Sequence, residues 1–148
     1  MTMKRSALLI VCALIIATAS LPALAQSDIT IEDASGWTIG KIRSNGDVED
    51  GSGWTIGRIR DNGSVEDASG WTIGRVRENG AVEDSSGWTI GRIRDNGSVE
   101  DASGWTIGRI GSGTIDYSSG ATALRFSGPA DYTRLGAYVF FFKKVLGR

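Results

Sequence analysis

Short apolar-rich runs alternate with polar turns along this chain, and the alternation repeats every 17 residues. Each unit, GWTIGRIRDNGSVEDAS in its commonest form, holds a first run rich in β-branched and aromatic residues, 54–60 in one copy, and a shorter second run, 64–68. Asn62-Gly63 between two such runs is typical of a β-hairpin turn. A unit this small cannot bury its own apolar side chains, so the copies are expected to pack on one another. Five copies begin with a tryptophan: Trp37, Trp54, Trp71, Trp88 and Trp105.

Side-chain pairing favours one register within each hairpin. We expect a three-residue loop, 61–63, whose final glycine is left-handed. Arg58 then faces Glu66, which is an opposite-charge pair. Ile59 then faces Val65, which is an apolar pair.

A second register is expected at the junction between units. A two-residue Ser69-Gly70 loop would pair Ala68 with Trp71 and keep the faces of all copies on the same side of the sheet. The two registers together stagger each hairpin by two residues. A closed sheet with that shear has strands tilted by roughly 36°, which is the tilt of real barrels.

The two ends of the chain supply further strands. Residues 29–36 copy the second run of the unit, and residues 119–126 copy the first run with Ala121 in place of tryptophan. If they pair, a sixth hairpin closes a barrel of about 12 strands with a backbone radius of roughly 10 Å. The predicted fold is all-β, a closed or nearly closed antiparallel meander of about 10 to 12 short strands. A β-solenoid is less favourable because it would stack like charges on one another.

A lumen of that width needs filling, and residues 135–146 contain eight successive apolar or small residues without alternation. This pattern indicates a segment buried on all sides, either a central helix or an extended plug; an ordinary final strand is the alternative. On the derived register one face of the sheet carries Trp54, Ile56, Arg58, Glu66 and Ala68. The other face is favoured as the interior, since its glycine leaves room for a plug, and it carries Thr55, Gly57, Ile59, Val65 and Asp67.

The first 25 residues differ from the rest. Lys4 and Arg5 precede an apolar run, 7–19, that ends before small residues, 23–25. This is the pattern of a secretory signal peptide over residues 1–25, and it predicts export of a single domain, 26–148, to the periplasm, envelope or exterior. The exported domain has neither Cys nor His and a net charge near −3. Nothing in that balance indicates a nucleic-acid partner.

The same inventory is poor in catalytic groups, and the sequence predicts a protein that is not an enzyme, with no cofactor and no metal site. Neighbouring carboxylates recur in Glu66-Asp67 and its copies, but adjacent strand residues point to opposite faces, which does not suit glycoside cleavage. Asp-Asn-Gly resembles part of a calcium loop whose other ligands are missing. We expect the carboxylates to form structural ion pairs with Arg58, Arg75 and Arg92.

Five copies of the unit followed by the Phe-rich tail YVFFFKK resemble the bacterial β-flower proteins. The resemblance covers residues 28–148. It implies a shallow symmetric barrel of tandem hairpin petals with an apolar C-terminal segment near the axis, and an envelope or secreted location. It implies no established activity.

Two functions stay open on the sequence. The first is a structural or interaction module of the cell envelope; the second is multivalent binding of glycan or lipid by the repeated tryptophans, because exposed indoles stack on sugars and suit a lipid interface. An outer-membrane barrel is disfavoured by strands of about seven residues, where 9 to 11 are needed. The ligand and the oligomeric state are not indicated. The candidate binding residues are Trp37, Trp54, Trp71, Trp88 and Trp105.

Overall fold

The computed structural model of the protein describes residues 26–146, so the signal peptide expected over residues 1–25 lies outside the described residues. Twelve antiparallel strands form a closed barrel in which each strand pairs with its neighbours in sequence. The strands are β1 (Ile29–Asp33), β2 (Thr38–Ile42), β3 (Asp47–Asp50), β4 (Thr55–Ile59), β5 (Ser64–Asp67), β6 (Thr72–Val76), β7 (Ala81–Asp84), β8 (Thr89–Ile93), β9 (Ser98–Asp101), β10 (Thr106–Ile110), β11 (Thr114–Tyr117) and β12 (Thr122–Ser127). The predicted all-β meander is therefore confirmed.

The barrel closes through its two terminal strands, as the sequence predicts. β1 pairs with β12, with Ile31 opposite Phe126 and Asp33 opposite Leu124. The two strands of each repeat unit are joined by a turn, which gives five hairpins. The sixth pair, β12 and β1, comes from opposite ends of the domain. Closure leaves no unpaired strand edge among the described residues, and unpaired edges are the feature that makes open sheets prone to aggregation.

The register within each hairpin is also confirmed. Arg58 lies opposite Glu66, and Ile59 lies opposite Val65. The loop has three residues, since the Arg60 N–H donates to the Ser64 carbonyl at 2.8 Å. Its last residue, Gly63, has φ of +82°, a left-handed conformation that side chains disfavour.

The register at the junction between units is only partly as predicted. The two-residue Ser69-Gly70 loop with Ala68 opposite Trp71 is wrong: the Asp67 N–H donates to the Trp71 carbonyl at 2.9 Å, so the loop has three residues. A β-bulge at Ile73 follows, because Glu66 pairs with Thr72 but Val65 pairs with Gly74. The extra loop residue and the bulge cancel, and the two-residue stagger of each hairpin is retained beyond the bulge.

The bulge also changes which residues face the lumen. Gly57, Ile59 and Val65 are buried, as predicted for the interior face. Thr55 and Asp67 were placed on the same face, and that part of the prediction is wrong: Thr55 is exposed, and the half-buried Asp67 carboxylate caps the turn. Ile56, however, was expected on the outer face with Trp54, and that expectation is wrong. Ile56 packs against the core, as do its four copies, because the bulge turns the isoleucine inward. The inward isoleucines are Ile39, Ile56, Ile73, Ile90 and Ile107.

The C-terminal segment is a central helix and not a final strand. After Gly128-Pro129 the chain enters helix α1 (Tyr132–Ala137), whose first turn is capped by the Asp131 carboxylate accepting from the Arg134 N–H at 3.0 Å. A π-helical turn (Tyr138–Phe142) continues it. Leu135, Ala137, Tyr138 and Val139 are buried in the same cluster as the strand residues. The segment fills the lumen, as the run of apolar residues predicts.

Five glycines, one from each unit, make room for five side chains of this plug. A Cβ atom built at any of them would collide both with the plug and with a backbone carbonyl of the neighbouring strand. The sixth position of the ring, at the assembled hairpin, carries Leu124, which is buried and fills its own share of the lumen. The contacts are Gly40 with Tyr138, Gly57 with Phe142, Gly74 with Phe141, Gly91 with Phe140, and Gly108 with Leu146.

We predict that Gly74→Ala destabilises the barrel by about 1–3 kcal/mol, the range for overpacking a filled core. The new methyl group would overlap the Phe141 ring and the Glu83 carbonyl. Gly111→Ala is the matched control, because its Cβ would lie 3.4 Å from Thr114 Oγ1, an ordinary contact. Urea unfolding measures both, and equal midpoints for the two variants would contradict the predicted clash.

Removal of residues 135–148 should unfold the domain. The barrel would lose the side chains that fill its centre, and each large apolar side chain removed from a core costs several kcal/mol against a total of about 5–15 kcal/mol. Circular dichroism melts of the truncated and full domains test this. A truncated domain with an unchanged melting temperature would show that the plug does not support the barrel.

Candidate functional site: a ring of tryptophans on one end of the barrel

The five tryptophans lie at one end of the barrel. Each follows a turn that joins an odd-numbered strand to the next even-numbered one, and all these turns are on the same end of a meander. Their side chains are among the most exposed large apolar groups of the protein, with 74–76% of each residue accessible. We call this end, defined by Trp37, Trp54, Trp71, Trp88 and Trp105 and the turns before them, the tryptophan face.

An aspartate builds each of these turns. Asp67 Oδ1 accepts from the backbone N–H of Ser69 at 2.9 Å and from that of Trp71 at 3.0 Å. Gly70 completes the turn with φ of +85°. The carboxylate thus fixes the backbone nitrogen that carries each indole. The same pair of bonds recurs at Asp33, Asp50, Asp84 and Asp101.

The sixth turn has neither the aspartate nor the tryptophan. Tyr117 and Ala121 stand in their places, yet the Tyr117 N–H still donates to the Ala121 carbonyl at 2.9 Å. The backbone of the turn therefore forms without the carboxylate. Ala121 is exposed, which leaves one position of the ring without an indole.

The centre of the tryptophan face is apolar. Phe140, Phe141 and Phe142 are half-buried there and, like the inward isoleucines, pack against the buried core. Lys143 and Lys144 follow at once and are exposed. An open pocket of about 310 Å³ lies between the plug and the fourth and fifth units, and it is lined by Ile90, Asp101, Ile107, Val139, Phe140, Lys144 and Leu146.

The opposite end of the barrel is polar and holds the start of the plug. Arg134 is 4% exposed, and its guanidinium donates to the carbonyls of Arg43 at 3.2 Å and Ser44 at 3.1 Å. It also lies 3.5 Å from the Asp131 carboxylate. A second carboxylate, that of Asp61, lies 3.9 Å away, and these partners together fix the helix to the turn after β2.

Ion pairs cover the outer wall, but their partners differ from those expected. Glu66 pairs with Arg60 at 2.7 Å rather than with Arg58, and its copies pair in the same way, Glu49 with Arg43, Glu83 with Arg77 and Glu100 with Arg94. The hydrogen bond from Arg60 lowers the pKa of Glu66. Arg58 instead pairs with Asp47, at 2.6 Å. Later units have Ser64, Ala81 or Ser98 at that position, so the structure gives Arg75 and Arg92 no such carboxylate.

Polar grooves lie on this wall beside the turns of the tryptophan face. One, of about 290 Å³, is lined by Thr55, Arg58 and Glu66 together with the turn 67–70. Its counterpart near the fifth unit, of about 320 Å³, includes Thr106, Arg109 and Tyr117. The hydrogen-bonding groups of each groove come from residues that neighbour an exposed tryptophan in the sequence, Trp54 for the first groove and Trp105 for the second.

Among the ionisable residues of the plug, Tyr138 is the one whose pKa the barrel shifts most. Burial, with a smaller contribution from the charge of Asp50, raises the pKa of Tyr138 to about 12. Its ring lies against Gly40, at 6.3 Å between centroids from the ring of Phe142. The phenol therefore stays protonated well above the pH at which an exposed tyrosine ionises.

Sequence reasoning identified the tryptophans as one set but missed two features of the face. The sequence analysis predicts the aspartate of each turn only as part of a carboxylate pair, although Asp-x-Ser-Gly is a recognisable signal for a capped turn. The pocket depends on Leu146 standing where the neighbouring units have phenylalanine, and only the path of the plug reveals that pairing. Among residues 26–146, no helix has the length and apolar character needed to cross a membrane.

Comparison with known proteins agrees with this architecture. A twelve-stranded barrel of tandem hairpins around an apolar C-terminal helix has the form of a β-flower. The family model described as 5-fold beta-flower protein matches residues 21–143. The chain belongs to this family, as its resemblance to the β-flower proteins predicts. No curated protein and no solved structure gave a match.

The raised pKa of Tyr138 should make the barrel less stable in alkali. An unfolded tyrosine loses its proton near pH 10 and the folded Tyr138 near 12, so between these values the unfolded state holds fewer protons. Stability must then fall as pH rises through this window. Tyr138→Phe removes this contribution, and the other titrating groups cancel in the comparison. Urea midpoints measured from neutral pH to pH 12 should decline more steeply for the original protein, and parallel profiles would contradict the assignment.

Proposed function

We propose that this protein is an exported, non-enzymatic interaction module whose tryptophan face binds at the interface of a lipid bilayer. One observation carries the proposal: five indoles on one end of a rigid barrel are each about three-quarters exposed. Large exposed apolar groups gathered on one face mark interaction surfaces. Indoles in particular are suited to a bilayer interface, because the ring is apolar and its N–H is polar.

The exposure argues against a purely structural role for these residues. A tryptophan that covered its neighbour's isoleucine would be largely buried, and burial of a large apolar side chain stabilises by about 1.5–3 kcal/mol. Here the inward isoleucines pack on the buried core of the barrel instead. The fold thus gains little from the five indoles, and binding is the better explanation for repeating them.

The centre of the face favours lipid as the partner. Phenylalanines 140–142 and the inward isoleucines are only half-buried and so add accessible apolar groups to those of the indoles. The charges on the face are the five turn aspartates against Lys143 and Lys144. This balance offers no attraction to anionic headgroups, so the partner we infer is a neutral, zwitterionic bilayer surface, bound by apolar contact and not by charge.

A glycan is the second candidate, and the outer grooves favour it. Thr55, Arg58 and Glu66 present hydrogen-bonding groups close in sequence to Trp54. Aromatic rings beside such groups are a usual way of holding sugars. A polymer with repeated units could engage several grooves of the ring together.

Export and the absence of catalysis are parts of the same proposal. The signal-peptide pattern of residues 1–25 supports export. The exported domain contains no His and no Cys, which supports a role without nucleophilic or acid–base chemistry.

Simultaneous replacement of Trp37, Trp71 and Trp105 by alanine should abolish binding to phosphatidylcholine vesicles in a sedimentation assay. Five weak sites on one rigid ring act together, and avidity can exceed single-site affinity by roughly 10². A single Trp71→Ala should weaken binding only severalfold. Because the side chains are exposed, each replacement should change stability by no more than about 0.5 kcal/mol.

Ala121→Trp gives the complementary test, since it adds an indole at the sixth position of the ring. It should strengthen vesicle binding. Ser112→Trp adds an exposed indole at the opposite end and should not. Raised salt should not weaken binding, and anionic lipid should not strengthen it, because the face carries more negative than positive charge. Retention by insoluble polysaccharide with no vesicle binding would show that the ligand is a glycan and not a lipid. Loss of stability with each tryptophan replaced, and no binding of either ligand, would show that the tryptophans have a structural role.

A further inference from the structure

The fifth unit departs from the others in how the plug meets it. Phenylalanine rings of the plug cover Gly57, Gly74 and Gly91, but the side chain over Gly108 is that of Leu146, with its methyl carbons 2.9 Å from a Cβ built there. The π-helical turn ends at Phe142, and Lys143 has φ of −134° and ψ of 86°, so the chain reaches this position in an extended form. A smaller side chain on an irregular segment leaves space beside it.

That space is the pocket of about 310 Å³ between the plug and β8 and β10. Its walls are apolar: Ile90 and Ile107 from the strands, Val139, Phe140 and Leu146 from the plug. The volume is at the lower end of the roughly 300–1,000 Å³ that holds small ligands. The two isoleucines stand two positions after Trp88 and Trp105, so the pocket lies beside the turns of the tryptophan face.

Two charged groups line the pocket. Asp101 is committed to its turn, since Oδ1 accepts from the N–H groups of Ser103 at 2.9 Å and Trp105 at 3.0 Å. Lys144 is exposed, and no acidic group among residues 26–146 forms an ion pair with it. Asp101 keeps its negative charge, and Lys144 is the one cation that lines the pocket and can pair with an anionic ligand.

We propose that this pocket binds a free fatty acid, with the alkyl chain between Ile90, Ile107 and Phe140 and the carboxylate at Lys144. Apolar walls with one cation at the rim match a ligand that is an apolar chain with one anionic end. The site is separate from the indoles of the proposed function, because a fatty acid in solution can enter the pocket whether or not the face meets a bilayer.

Calorimetry with decanoate, below its micelle concentration, tests the pocket directly. Each methylene added between hexanoate and decanoate should strengthen binding about fourfold, which is the effect of burying one CH₂ group. Leu146→Phe restores the ring seen in the other units and should weaken binding at least tenfold. Ile107→Phe fills the pocket from the opposite wall and should have the same effect. Melting temperatures near that of the original protein confirm that both variants fold.

The charge is tested separately. Lys144→Gln should weaken decanoate binding about two- to fivefold, the effect of an exposed ion pair. It should leave binding of decanol unchanged. Lys143→Gln is the matched control, because Lys143 is exposed and adjacent but does not line the pocket. Equal effects of the two lysine variants would overturn the placement of the carboxylate.

The outcomes distinguish this site from the tryptophan face. Replacement of Trp37, Trp54 and Trp71, on the units away from the pocket, should weaken vesicle binding and leave decanoate binding intact, while Leu146→Phe should do the reverse. No binding of decanoate, or binding unaffected by Leu146→Phe and Ile107→Phe, would overturn the proposal. A Leu146→Phe variant that loses vesicles and decanoate together would overturn the free acid as ligand and assign the pocket to chains of bilayer lipid.

Discussion

Contact between the plug and the glycines of the strands is the constraint on which the rest of the structure depends. Twelve strands enclose more space than their own inward side chains fill. Each repeat unit has a glycine at the middle of its first strand, which leaves space for a side chain of the C-terminal segment. Phenylalanine rings of that segment therefore reach the sheet at Gly57, Gly74 and Gly91. Protein interiors tolerate neither voids nor overlaps, so barrel size, glycine and plug are fixed together.

Much of this follows from the sequence because a repeat reports the same register five times. The pairing of Arg58 with Glu66 and of Ile59 with Val65 was predictable from charge and apolarity alone. The bulge at Ile73 was not, because a two-residue loop without a bulge and a three-residue loop with one give the same stagger further along the strand. The helical state of the plug was also undetermined, since its aromatic residues suit helix and strand alike.

The candidate site, like the fold, was only partly predictable from the sequence. The sequence predicts that the tryptophans act as a set, because their spacing is that of the repeat. Their exposure depends on where the neighbouring isoleucines go, and the bulge decides that by turning Ile56 and its copies toward the plug. The pocket at Leu146 was harder still to predict from the sequence, because it depends on a contact between the C-terminal segment and the fifth unit.

The plug has a consequence for the evolution of copy number. Tandem units are readily gained or lost by recombination, and here each would add or remove two strands. The ring radius would change with them, whereas Tyr138, Phe140, Phe141 and Phe142 have a fixed reach from one short helix. A barrel with one unit more would leave rings short of their glycines, and a barrel with one unit fewer would crowd them. The C-terminal helix therefore fixes the number of repeat units, which tandem duplication or deletion would otherwise be free to change.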